Sequence, residues 1–209
     1  GGTFWIAWHR SEPSKFGAIN QTDAFSTSLN GYTTAEIIGN NTTVTTPTST
    51  NFTVADSSVN NANGATYVAY LFAHDAGGFG STGTDNVISC GSFTCPGSGG
   101  VDVNLGYEPQ WILTKKISGT ENWNTWDTMR GWALTQQAFL APNNSNAEVS
   151  YSGTDYFYPT ATGFRLNSSF GLIGDYIYIA IRKGPMKTPT VGTSVFSPVA
   201  YTGTSVTRD

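Results

Sequence analysis

The sequence predicts an all-β fold, assembled from tandem β-sandwich modules of the jelly-roll kind with about 100 residues each. Three observations predict it. Short apolar-aromatic runs bounded by polar residues recur along the chain, turn residues fill the intervals, and one set of landmarks is written twice. Leu29, Ala35, Glu36, Phe52 and Tyr67 recur as Leu140, Ala147, Glu148, Phe164 and Tyr178, at offsets of 111, 112, 112, 112 and 111. Trp5-Ile6 answers to Trp111-Ile112 at an offset of 106, so the second copy gains about five residues within the Trp-rich stretch 119–132. Tyr201-Thr202 echoes Phe93-Thr94, which reads as the start of a third copy.

The elements follow in order. Phe4-Trp5-Ile6-Ala7-Trp8 and Gln110-Trp111-Ile112-Leu113-Thr114 are strand-length apolar runs. Tyr67 to Ala73 and Tyr176 to Arg182 are longer, continuous apolar runs, which predicts central strands covered on both faces. Val101-Asp102-Val103-Asn104-Leu105 alternates, placing Val, Val and Leu on one face. Phe52-Thr53-Val54 and Phe164-Arg165-Leu166 alternate likewise. Asn30-Gly31, Asn63-Gly64, Gly77-Gly78, Gly99-Gly100 and Asn143-Asn144 supply the turns. Helix signals are weak; the best stretch, Trp132 to Ala141, is stopped by Pro142. Glu36 and Glu148 hold equivalent places after an alanine, which predicts a structural task such as capping a turn or pairing across strands. Residues 1–73 read as the C-terminal part of a first module, 74–86 as a linker and 87–183 as a complete second module. Residues 184–209 read as a connector, stiffened by Pro185 and Pro189, leading into a third.

Composition narrows the classes. Charged residues make up only 11% of the 209, against roughly 25% in ordinary globular domains. Hydroxyl, amide and glycine residues take their place, as suits an extracellular or virion surface. The net charge of −4, with ten Lys plus Arg, lacks the footprint of a nucleic-acid binder. No apolar run approaches the ~20 residues that span a bilayer, so membrane insertion is not expected. A module of this size folds alone, and tandem copies multiply weak contacts or space a tip from a surface. An enzyme gains little from such a string.

Catalytic constellations are sparse. The two histidines, His9 and His74, sit at strand ends and neither recurs in the other copy, so surface or edge positions are favoured over an acid–base role. Asp127, Asp155 and Asp175 are scattered among polar loops without the spacing of a carboxylate pair. No metal site and no cofactor are expected: the chain holds two cysteines, and the histidines lie in other segments. Cys90 and Cys95, with four residues between them, could be two unlinked thiols or a disulfide closing a short hairpin. One cluster has the chemistry of a sugar site: Trp123, Trp126, Asp127, Arg130 and Trp132 combine flat aromatic faces with hydrogen-bonding groups. The competing assignment packs the tryptophans against the sheet as hairpin anchors, and it is the favoured one because large aromatics are mostly buried.

Several motifs fall in a recognisable order. They include Tyr70-Leu71-Phe72-Ala73, Ile88-Ser89-Cys90-Gly91-Ser92-Phe93-Thr94 and Leu105-Gly106-Tyr107-Glu108-Pro109-Gln110-Trp111. Asp127-Thr128-Met129-Arg130-Gly131, Gly163-Phe164-Arg165-Leu166 and Ala180-Ile181-Arg182-Lys183-Gly184-Pro185 follow. Together they resemble the tandem modules of virion proteins in marine tailed phages, notably those infecting cyanobacteria. The resemblance implies a structural, tail-fibre-like virion protein that mediates or presents host-surface attachment. It carries no enzymatic activity and no defined ligand site over to these residues. The partners it implies are a host surface glycan or other virion proteins, with a homo-oligomer expected and a trimer the common fibre arrangement. A purely architectural decoration protein is the alternative, and a polysaccharide depolymerase a distant third.

Overall fold

The structure, a computed structural model, describes residues 4–80, 82–152, 155–167, 172–184 and 196–203, with the backbone alone at 196–197. The proline connector expected after residue 184 lies outside these residues. Among these residues the fold is all-β apart from one helical turn.

Strand β1 (Ile6–Trp8) pairs antiparallel with β2 (Phe16–Ala18), Ile6 opposite Ala18. Strands β3 (Ser28–Leu29) and β4 (Tyr32–Thr33) form a tight hairpin around Asn30-Gly31. Both turn residues take positive φ, 54° and 86°, the conformation that favours Asn-Gly in two-residue hairpins. Helix α1 (Thr34–Ile37) starts with a capping box: a Glu36 carboxylate oxygen accepts from Thr33 N at 2.7 Å and Thr33 Oγ1 at 2.8 Å. The recurring acid thus caps a turn in the first copy. Phe52-Thr53-Val54 joins no named strand; Thr53 accepts its backbone bond from Gly39, beyond α1, and both Thr53 and Val54 are buried.

Beyond β5 (Thr66–Phe72) come β6 (Ile88–Cys95), β7 (Val101–Asn104), β8 (Pro109–Lys116), β9 (Trp123–Asp127), β10 (Gln136–Leu140) and β11 (Val149–Ser152). The last four are β12 (Phe157–Thr160), β13 (Gly163–Leu166), β14 (Gly174–Arg182) and β15 (Phe196–Thr202). The stretch Trp132 to Ala141, the best helical candidate, contains strand β10 instead. Its Gln137 side chain donates to the Ala133 and Leu134 carbonyls, and Ala138 and Phe139 pair with β11; tertiary pairing overrides a weak propensity.

Two sheets share a core. The larger has strand order β11-β10-β9-β8-β14-β6 and the smaller β12-β13-β7. Strand periodicity divides the large sheet's side chains cleanly. Phe93, Ile112, Trp126, Tyr176, Tyr178 and Ala180 face Phe157, Phe164 and Leu166 of the smaller sheet, with Val101, Val103 and Leu105 packed alongside as their alternation predicts. Gly91, opposite Tyr178 on β6, makes room for that ring: a Cβ there would lie 2.5 Å from the Tyr178 hydroxyl. On the other face Leu113, Ile117, Trp123 and Ile177 are covered by the N-terminal segment through Phe25, Ala7 and Ile19. The long run of β14 is therefore covered on both faces, as its continuous apolar character requires.

Strand β5 differs. Among the described residues it pairs with β15, from Thr66 opposite Thr202 to Phe72 opposite Phe196. Val68 and Tyr70 are 59% and 52% exposed. The expectation of a strand covered on both faces fails here because no sheet among the described residues lies over this ribbon.

Cys90 and Cys95 are both free and buried. They stand on one continuous strand, five positions apart and on opposite faces, roughly 16 Å along the chain, far beyond the reach of a disulfide. The bridge weighed from their spacing is not made. Burial pushes the Cys90 thiol up to about 12.

Candidate binding surface

The Trp-rich segment places its residues apart. Trp123 and Trp126, three positions apart on β9, point to opposite faces of the large sheet. Trp123 packs under the N-terminal segment, its Nε1 donating to Ala18 O at 2.9 Å. Trp126 sits between the sheets, 4.5 Å from the Phe139 ring and 5.0 Å from Phe157. Trp132 closes the end of the core, donating from Nε1 to Phe157 O at 2.8 Å. Their exposures are 4%, 6% and 1%, so none presents a face on which a sugar could stack. The tryptophans are anchors of the fold, the assignment that the sequence favours, and the five-residue glycan cluster weighed against it does not come together.

Its polar half does reach the surface. Asp127 Oδ1 accepts from Arg130 N at 2.8 Å and its Oδ2 from Arg130 Nε at 2.9 Å, closing the turn after β9. Arg130 then reaches Glu148, 3.1 Å from NH1 to Oε2, and this bond with the Asp127 pair holds the guanidinium above its ordinary pKa. Glu148 thus pairs across elements, while its counterpart Glu36 caps a turn. Next to Glu148 runs the edge strand β11, exposed at all four positions. Tyr151, 44% exposed, packs its ring 5.9 Å from Phe139 and 5.0 Å from Tyr156. Arg130, Glu148 and Tyr151 are therefore an exposed aromatic and charged set beside an open sheet edge. Exposed ion pairs contribute little to stability, so Arg130→Ala is expected to cost less than about 1 kcal/mol in thermal unfolding.

A cavity of about 30 Å³ lies between the sheets, lined in part by Thr114, Glu121, Asn124, Trp126 and Tyr176. Glu121 accepts there from the Tyr176 hydroxyl at 3.2 Å, and burial raises that phenol. The volume suits a water molecule, not a pyranose ring.

Elsewhere the groups that could serve as nucleophile or base are bonded within the fold. Ser89 Oγ donates to Asp75 Oδ1 at 2.5 Å, while His74 Nδ1 accepts from Cys90 N at 3.1 Å. The hydroxyl is thus bonded to the carboxylate and not to the imidazole, the reverse of what a base-activated nucleophile needs. Asp155 accepts from Asn167 and Asp175 from Thr94 Oγ1, each occupied by its own neighbour. Among the described residues no group of three or more His, Cys, Asp or Glu could hold a metal ion.

Lys115 and His9 are buried, the first not foreseen from sequence and the second against the expectation of a surface or edge position. Lys115 is 1% exposed and its Nζ donates to the carbonyls of Thr22 and Glu121, stitching the N-terminal segment to the sheet. Desolvation pulls it down to about 8. The signal was a lysine in register with Leu113 and Ile117 on an apolar face. His9, 6% exposed, accepts at Nδ1 from Ser11 N and therefore donates from Nε2 to Tyr178 O at 3.2 Å. Nothing in its local sequence marks it as buried.

No curated protein and no solved structure matches the chain. Residues 5–185 match the family model of a domain of unknown function, DUF7483, a span that takes in the N-terminal cover as well as both packed sheets, and the chain belongs to that family.

Proposed function

We propose that the chain is a structural module of a phage virion, of the tail-fibre or appendage kind, that presents or mediates attachment to a host surface. A hairpin at the corresponding place in each half of the chain supports it. The hairpin β1–β2 sets Ile6 opposite Ala18, and the hairpin β8–β9 sets its counterpart Ile112 opposite Trp126. Two hairpins that each follow a Trp-Ile pair are what an array of jelly-roll-like modules would contain, though their loops differ by two residues, and arrays serve reach and avidity. The resemblance to tail-fibre-like proteins and the scarcity of charge point the same way.

With the tryptophans buried, attachment falls to the Arg130–Glu148–Tyr151 surface. Exposed tyrosine and arginine beside amide-rich loops suit a hydroxylated, weakly charged ligand such as a surface glycan. The test is saturable binding of labelled protein to cyanobacterial cells, compared with an Arg130→Ala, Tyr151→Ala double variant. Binding that falls at least tenfold in the folded double variant supports adhesion through this surface. Binding unchanged in the double variant moves the contact elsewhere, and no binding by a multivalent display of the protein leaves an architectural role in capsid or tail.

A further inference from the structure

Both histidines of the chain stand at one seam, where the segment before β5 and the turn just after it meet the large sheet. His9 Nε2 donates to Tyr178 O on β14 at 3.2 Å, and its neighbour Arg10 donates to Cys90 O on β6 at 3.4 Å. His74 Nδ1 accepts from Cys90 N at 3.1 Å, and Asp75 N donates to Ile88 O at 2.8 Å. The β6 edge from Ile88 to Cys90 is thus closed by a turn, a histidine and an arginine.

Each imidazole is held in a way that needs Nδ1 without a proton. His9 Nδ1 accepts from Ser11 N at 3.2 Å, as His74 Nδ1 does from Cys90 N. A proton at either place sets donor against donor. The surrounding charges give little relief. Arg10 repels both rings, and His74 repels His9. Asp75, 3.5 Å from His74 Nε2, already accepts from Ser89 Oγ, and Glu12 pairs with Lys15 at 2.8 Å. Cys90, Tyr107 and Tyr178, each pushed up to about 12 by burial, stay neutral in acid and supply no counter-charge.

Beyond the seam, the segment covers the sheet with less than the sandwich has inside. Phe25 on Leu113, Ile117, Trp123 and Ile177 makes a smaller apolar cluster than the one between the two sheets. Thr125, opposite Leu113 and on the same face, has its Oγ1 buried without a partner. A contact with few apolar groups and an orphaned hydroxyl belongs to the low-stability end of a fold.

We propose that this joint opens as a unit while the two sheets stay packed, and that acid opens it by protonating His9 and His74. Burial holds His9 down to about 4 against an ordinary 6.5, and burial displaces His74 the same way. The open joint therefore binds more protons than the closed one. The closed form is fully favoured above pH 6.5 and loses ground as the pH falls toward 4. His9 alone multiplies the open population roughly fiftyfold between pH 7 and 4.5. Lys115 stays charged across this range, so its bond to Thr22 O does not follow the pH.

The two cysteines report the two events separately. Cys90 lies on the outer face beside Ile179, which the N-terminal segment also covers, whereas Cys95 lies between the sheets with Trp126 and Tyr176. The intact chain is labelled with dithiodipyridine, and each rate is divided by that of the same cysteine in the urea-unfolded chain at the same pH. Cys90 is expected to react at least tenfold faster than Cys95 at every pH, and its rate to rise roughly fiftyfold from pH 7 to 4.5. His9→Gln with His74→Asn keeps donors and acceptors without titrating rings and is expected to flatten that rise. Equal rates at Cys90 and Cys95 would mean that joint and sandwich open together, which overturns the proposal. So does a Cys90 rate indifferent to acid, or an acid rise that survives in the folded double variant. Should the double variant unfold, the first two readouts come from the parent chain and decide without it.

Discussion

Trp132→Ala is expected to destabilise the chain by about 3–5 kcal/mol and to lower its thermal midpoint by roughly 10 °C. The side chain is 1% exposed, and its ring lies 5.2 Å from that of Phe157. Removing it opens a cavity at the end of the core and leaves the Phe157 carbonyl without its 2.8 Å indole donor. The link lost is also topological: the turn after β9 on the large sheet is fastened by this bond to β12 on the small one. Trp132→Phe separates the contributions, since it keeps most of the ring and loses the donor; a cost of about 1–2 kcal/mol is expected. Denaturant unfolding of the three proteins measures both. Equal midpoints for the parent and Trp132→Ala would show that this end of the sandwich is not part of the cooperative core.

Acid is expected to weaken the fold through His9. Burial pushes its pKa from 6.5 down to about 4, with Arg10 and His74 adding repulsion and the Tyr178 carbonyl and Glu12 opposing. The unfolded chain therefore binds more protons than the folded one between those two values. Stability is full above pH 6.5 and declines as the pH falls toward 4, by about 3 kcal/mol in all. Geometry gives the reason. Nδ1 accepts from Ser11 N at 3.2 Å, and a proton placed there would confront one donor with another. His9→Gln keeps one donor and one acceptor without a titrating ring. Urea midpoints measured from pH 4 to 7 are expected to fall with acid more steeply in the parent than in this variant. Parallel curves would mean that His9 is protonated as easily in the folded chain as in water.

Periodicity carried information wherever one face of a strand was buried. The alternating Val101–Leu105 run and the continuous run of β14 lie in the core as their patterns require. Asn30-Gly31 placed a hairpin because its positive φ values admit few other residues. The failures share a cause. Strand β5 reads like β14 residue for residue in hydrophobicity, yet which neighbours cover a strand is a tertiary fact that its own residues do not encode. Gln137 took β10 out of a helix by bonding the carbonyls just before it, a preference invisible to propensity. Strand geometry decides between the two assignments of the Trp-rich stretch in favour of the anchors: a three-residue spacing puts Trp123 and Trp126 on opposite faces. The internal match itself shifts by two residues in the structure, Tyr67 standing for Tyr176 instead of Tyr178, and a shift of two leaves every side chain on its face.

The ribbon also decides how the chain would carry a load. Thr66 lies opposite Thr202, so residues 65 and 203 leave the ribbon at the same end, while 73–195 form a loop closed by seven residue pairs. Tension applied at 65 and 203 would open those pairs one after another, from Thr66–Thr202 inward, before any of it reached the two packed sheets. The mouth is reinforced where the force would enter. Gly64 N donates to Gly203 O at 2.7 Å, Gly203 N to Ala65 O at 2.6 Å, and the Tyr201 hydroxyl to Asn60 O. Strands β5 and β15 are thus a clasp that takes up a pull between residues 65 and 203 ahead of the sandwich, yielding by unzipping.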